Sequence, residues 1–129
     1  MTTESSVKIT FTPDIVDRRK ANEINMGLEF SAPKADKEYW CECDIVVRAP
    51  LSLSHDTLLE KGRNRVGILG PGKKAIIKQV KLFSSPSMSS NDYLVTITTY
   101  LYDEEGTIAE RHDTAEVIKS GITSTVNPA

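Results

Sequence analysis

Four side chains in this sequence have the chemistry to hold a soft metal ion: Cys41, Cys43, His55 and His112. That is the number a tetrahedral zinc site needs. The spacing argues against it. Cys41 and Cys43 form a C-x-C pair rather than a C-x₂-C knuckle. Both fall on the apolar side of an alternating stretch, where a free cysteine behaves as a small buried hydrophobe. On a strand, residues i and i+2 point the same way with Cα atoms roughly 6.5–7 Å apart, at the limit for a disulfide. Two reduced thiols are therefore expected, which fits a reducing compartment. A ligand- or metal-binding domain using Cys41, Cys43, His55 and His112 is the alternative function; under the main reading no cofactor and no metal are expected.

Nucleophilic and acid–base chemistry fares no better. His55-Asp56 and His112-Asp113 each set a base beside a carboxylate. Adjacent residues on a strand point to opposite faces, so His112 and Asp113 are not expected to pair. His55-Asp56 falls in a loop, where a local turn bond is the common outcome. Ser52 and Ser54 have no base assembled around them, and the glycine-rich, nucleophile-elbow and zinc-protease motifs are absent. Gly70-Pro71-Gly72-Lys73-Lys74 reads as a turn feeding a strand, not a phosphate loop. Lys73, Lys74, Lys78 and Lys81 divide between two strand faces and read as solvated lysines guarding a sheet edge. No enzyme, no nucleic-acid partner and no membrane partner are expected.

The elements that must position these side chains are strands. Val, Ile and Thr total 32 residues against 20 for Leu, Ala and Met, a balance that favours sheet. With 129 residues, 39% hydrophobic, 26% charged and a net charge of −2, the chain is one ordinary domain. We expect a flexible start at 1–6, a folded domain at 7–119 and a loose tail at 120–129. Apolar/polar alternation predicts strands at 7–12, 24–31, 38–49, 73–83, 93–102 and 107–119. A further strand is expected near 57–60 or 65–69, and 14–22 reads as a charged surface connection. Ile76-Ile77 breaks strict alternation and suggests a bulge. Residues 84–91 form a serine-rich loop, the most mobile connection expected. Seven short strands with no helical period predict an all-β, antiparallel immunoglobulin-like β-sandwich, with a small β-barrel as the alternative.

Two stretches resemble the CARDB-type modules of archaea and bacteria. One is Leu69-Gly70-Pro71-Gly72-Lys73-Lys74. The other is Tyr93-Leu94-Val95-Thr96-Ile97 with Tyr102-Asp103-Glu104-Glu105-Gly106-Thr107-Ile108-Ala109-Glu110. The resemblance covers about the last half of the chain. It implies an immunoglobulin-like sandwich and a role in adhesion or assembly.

The most informative feature is what the strand at 93–102 leaves outside. With Tyr93, Val95, Ile97, Thr99 and Leu101 facing inward, Leu94, Thr96, Thr98, Tyr100 and Tyr102 face out. An immunoglobulin-like order makes the third and sixth strands antiparallel neighbours, which sets Trp40 beside Tyr100 or Tyr102. An outward Trp with two Tyr is an apolar patch that invites a partner. The expected function is a non-enzymatic protein-interaction or assembly module, homo-oligomeric through that outer sheet face. Trp40, Tyr100 and Tyr102 are its anchors, with Glu42, Asp44 and Arg111 as polar rim. Residues 1–6 carry no signal-peptide pattern, so a cytoplasmic location is expected if Met1 is the native start. The register of the last two strands stays open, because the charges from Glu110 to Asp113 fit neither face cleanly.

Overall fold

The computed structural model describes residues 4–87 and 92–121. It is all-β, with nine strands: β1 (Ser6–Thr12), β2 (Ile15–Asp17), β3 (Asn22–Ser31), β4 (Tyr39–Val47), β5 (Leu51–Ser52), β6 (Lys61–Leu69), β7 (Ala75–Ser84), β8 (Tyr93–Tyr102) and β9 (Ile108–Gly121). They divide into a four-stranded sheet, β1-β3-β7-β5, and a five-stranded sheet, β2-β9-β8-β4-β6.

The count exceeds the seven expected because two short strands escape periodicity. The segment 14–22, expected to be a surface connection, contains β2, which pairs in parallel with the end of β9. β5 adds only Leu51 and Ser52 beside Ser84 and Phe83. Elements of two or three residues are too short to show alternation, and only pairing defines them. The uncertain fourth strand resolves to Lys61–Leu69. No bulge occurs at Ile76-Ile77: β7 runs in unbroken register against β3, Ile77 outward and 69% exposed. Bulges fall instead between Cys41 and Glu42 on the β4–β6 side and between Leu101 and Tyr102 on the β8–β9 side. Of the expected serine-rich loop and tail, residues 88–91 and 122–129 lie outside the described residues; Ser120 and Gly121 belong to β9.

Alternation explains the core. Ile24, Met26, Leu28 and Phe30 of β3, with Tyr39, Cys41, Cys43, Ile45 and Val47 of β4, are buried in one cluster that both sheets share. Tyr93, Val95, Ile97 and Leu101 of β8 join it, with Val16, Leu51, Leu69, Leu82 and Ile118 among the residues from other elements. Turns are set by local chemistry. In the β8–β9 hairpin Gly106 takes φ 78°, which only glycine adopts freely. There Asp103 Oδ1 accepts from the amides of Glu105 and Thr107 at 3.0 and 2.9 Å. The Gly70–Lys73 segment is a tight turn closed by a 2.8 Å Gly70 N–H to Lys73 C=O bond.

Candidate functional site

The larger sheet directs its outer face away from the core, and β4 and β8 supply the middle of that face. Their register puts Trp40 opposite Tyr102, Glu42 opposite Tyr100 and Asp44 opposite Thr98. On the flanks, β6 sets Ile68 beside Trp40, Arg65 beside Glu42 and Arg63 beside Asp44. β9 sets Ile108 beside Tyr102, Arg111 beside Tyr100 and Asp113 beside Thr98. The open register of the last two strands is thereby resolved: Arg111 and Asp113 face out, Glu110 and His112 face in.

Arg63 organises the centre. Its guanidinium donates through Nε and Nη2 to the two oxygens of Asp44, and through Nη1 to Glu42 Oε1 at 2.9 Å and Tyr102 Oη at 3.2 Å. The same group lies 4.5 Å from the centroid of the Tyr100 ring, close enough for a cation–π contact. Tyr100 donates its hydroxyl to Asp44 Oδ2 at 3.2 Å. The Tyr100 and Tyr102 rings stack with centroids 6.1 Å apart. Trp40 donates its indole N–H to Glu42 Oε2 at 2.6 Å. Arg111 also lies 5.8 Å from the centroid of the Tyr100 ring, and Thr98 donates to Asp113 at 2.7 Å.

The electrostatics follow from these bonds. The Trp40 N–H and then Arg63 hold the Glu42 carboxyl below its ordinary range, against a small opposing effect of burial. Arg63, helped by Tyr100, does the same for Asp44. Glu42 and Asp44 are thus central fixtures joined to Arg63 rather than a free rim. Around them stand exposed apolar side chains: Trp40 at 37%, Leu94 at 41%, Val117 at 45%, Ile68 at 48% and Ile108 at 50%. The arrangement has no nucleophile and base in contact; what it offers is a surface of aromatic rings and a planar guanidinium joined by hydrogen bonds and ring contacts.

The metal-ligand candidates are not brought together. Cys41 and Cys43 are free and buried, and burial pushes their thiols up to about 12 and about 11. His55 bonds its neighbour Asp56 in an exposed loop at 3.0 Å. His112 lies on the inner face of β9 with Nε2 2.9 Å from Ser5 Oγ. Among the described residues no group of three or more His, Cys, Asp or Glu is placed to hold an ion. Of the four lysines, Lys78 turns to the inner side of β7 and is half-buried, while Lys81 pairs with Glu23 at 2.8 Å.

No family model matches this chain, and no curated protein matches it. A solved structure similar to it is the Pseudomonas fluorescens alkylpurine DNA glycosylase AlkC bound to DNA containing an abasic site analog. The likeness has 11% identity and a TM-score of 0.41, covers 89% of this chain and spans 31% of that one. That neighbour is an enzyme bound to DNA. The expectations that this chain is not an enzyme and has no nucleic-acid partner are therefore withdrawn. A likeness this distant brings neither activity nor partner to the chain. Among the described residues no helix is long and apolar enough to cross a membrane.

Arg63 is the residue that sequence reasoning missed. Its segment looks weakly patterned because glycine, asparagine and a bulge interrupt the inward positions. The signal was the outward one: Lys61, Arg63 and Arg65 recur every second residue, which is a strand's polar face.

Proposed function

We propose that this chain is an immunoglobulin-like β-sandwich serving as a protein-interaction or assembly module, and that it docks through the outer face of the larger sheet. One observation carries the reading: Trp40, Tyr100, Tyr102 and Arg63 are held in one network through Glu42 and Asp44 on an exposed face that also carries exposed Ile68, Ile108, Leu94 and Val117. Trp, Tyr and Arg are the residue types that dominate binding energy when buried at a contact's centre. Side chains already held in place lose little freedom on binding, so more of the contact energy appears as affinity. With Glu42 and Asp44 bonded to Arg63, the face can meet a protein surface that brings no charge to pair with them. The simplest such surface is the same face of a second copy, because an isologous contact needs only self-complementarity. The two reduced thiols support a reducing, cytoplasmic setting.

The test is solution mass by light scattering from micromolar to hundreds of micromolar, for the native chain and for Trp40→Ala and Tyr100→Ala. A solution mass lowered in both variants relative to the native chain, with circular dichroism and melting temperature retained, is the expected result. Variants that keep both fold and native mass overturn the reading.

A further inference from the structure

The larger sheet has a second unpartnered feature, at its edge rather than on its face. β9 is bonded to β8 along its length, but β2 covers its other side only from Lys119 to Gly121. From Ile108 to Ile118 no strand is hydrogen-bonded to that outer edge among the described residues, although β1 of the smaller sheet packs near β9. An open edge of this length is a template for another strand. Inward-pointing charges are one way proteins block such an edge, and β9 turns Glu110 and His112 inward. Here His112 and one oxygen of Glu110 are already engaged, while Glu110 Oε2 is buried without a partner. Ser5 donates from its amide and its hydroxyl to Glu110 Oε1 at 2.8 and 2.6 Å, and the hydroxyl meets His112 Nε2 at 2.9 Å. Ser5 thereby ties these side chains to the chain's own first strand.

The outward side chains select a partner. Arg111 and Asp113 are exposed, and within one chain their closest approach is a loose 3.8 Å. Two copies of β9 pairing antiparallel about a two-fold axis at Asp113 would oppose two aspartates. Centring the axis at Arg111 would oppose two arginines. With the axis at His112, Arg111 of each copy faces Asp113 of the other, forming two cross-strand opposite-charge pairs, whereas like charges directly opposite are destabilising.

We infer that β9 pairs antiparallel with β9 of a second copy, His112 opposite His112, so that two larger sheets join edge to edge. This inference rests on the proposed reading of the chain as an assembly module and names a second contact for it. A face contact and an edge contact whose two-fold axes intersect at right angles give a tetramer, the closed arrangement next most common after the dimer.

The register is tested with single cysteines, since the native thiols are buried. An equimolar mixture of Arg111→Cys and Asp113→Cys chains, oxidised mildly, is expected to give a disulfide-linked dimer on a non-reducing gel. Neither variant alone is expected to give one. Cross-strand Cα separations of about 4.5–5.5 Å lie within the range a disulfide spans. No cross-link in the mixture, or a cross-link in either variant alone, overturns the inference. Repeating the mixture in chains that also carry Trp40→Ala separates the two contacts. A cross-link there, with the mass of unlinked Trp40→Ala halved from tetramer to dimer, supports both. A cross-link with the tetramer mass unchanged by Trp40→Ala leaves the edge contact standing and removes the face contact.

Discussion

The outer faces of the two sheets are built by the same alternation and differ in almost everything else. On the smaller sheet the outward rows are Thr12-Asn25-Lys81, Thr10-Gly27-Gln79 and Lys8-Glu29-Ile77. Apart from the exposed Ile77 these are short or flexible polar side chains, and at the centre Gly27 leaves a shallow depression. A Cβ there would meet Thr10 Oγ1 at 2.8 Å. On the larger sheet the outward rows carry Trp40, Tyr100, Tyr102 and Arg63, joined through Glu42 and Asp44. Alternation decides that a face is outward; it does not decide whether that face is solvated or organised. The organisation comes from a cation, Arg63, that satisfies two carboxylates and lies on an aromatic ring.

The comparison can be broken or sharpened in order of effect. Opening the shared core undermines both faces together: Phe30→Ala, at a fully buried position, is expected to cost about 3–5 kcal/mol in urea denaturation. On the organised face alone, Arg63→Ala is expected to cost about 1 kcal/mol at most. Its side chain is 43% exposed, so solvent and salt screen the pairs. The larger consequence is that Tyr100 and Tyr102 lose their anchor, which NMR relaxation of the two rings reads directly. Lys81→Ala on the smaller sheet removes one exposed ion pair and is expected to change stability less than Arg63→Ala in the same titration. If the two changes prove equal, the contrast between the faces fails.

The pH dependence gives a smaller and complementary test. Glu42 and Asp44 have folded-state pKa values below the ordinary ones, so the unfolded chain binds more protons. Their contribution is fully present above the ordinary carboxylate range of about 4 and is lost as the pH falls through the depressed values. Arg63→Ala should flatten this acid limb of the stability curve. At the other extreme the buried thiols have raised pKa values of about 12 and about 11. Stability is unaffected below the ordinary thiol range of about 8.5 and declines as the pH climbs from there through the raised values. Native-state alkylation at pH 8 should leave both cysteines unmodified until urea unfolds the chain.

How far the sequence reached depends on the length of the signal. β1, β3, β4, β7, β8 and β9 each carry enough alternation to be seen, and the inward sets of β4 and β8 are those found buried. β2 and β5 are defined by pairing across long sequence separations, which no local pattern encodes. The bulge expected at Ile76-Ile77 is absent because an outward isoleucine is tolerated on an exposed face. The register of β9 was illegible because an edge strand places charges on both sides, Arg111 and Asp113 outward, Glu110 and His112 inward beside Ser5.

What the sequence determined by itself is therefore the class of structure and the two sides of its long strands, since both follow from a period of two. That Trp40, Tyr100 and Tyr102 share a face also follows, once β4 and β8 are neighbours. Only the tertiary structure decided that β6 lies on the far side of β4 and delivers Arg63 to Asp44, Glu42 and both tyrosines. Strand order and register are set by the whole core closing at once, and a side chain's partners across a sheet come from that closure, not from its place in the chain.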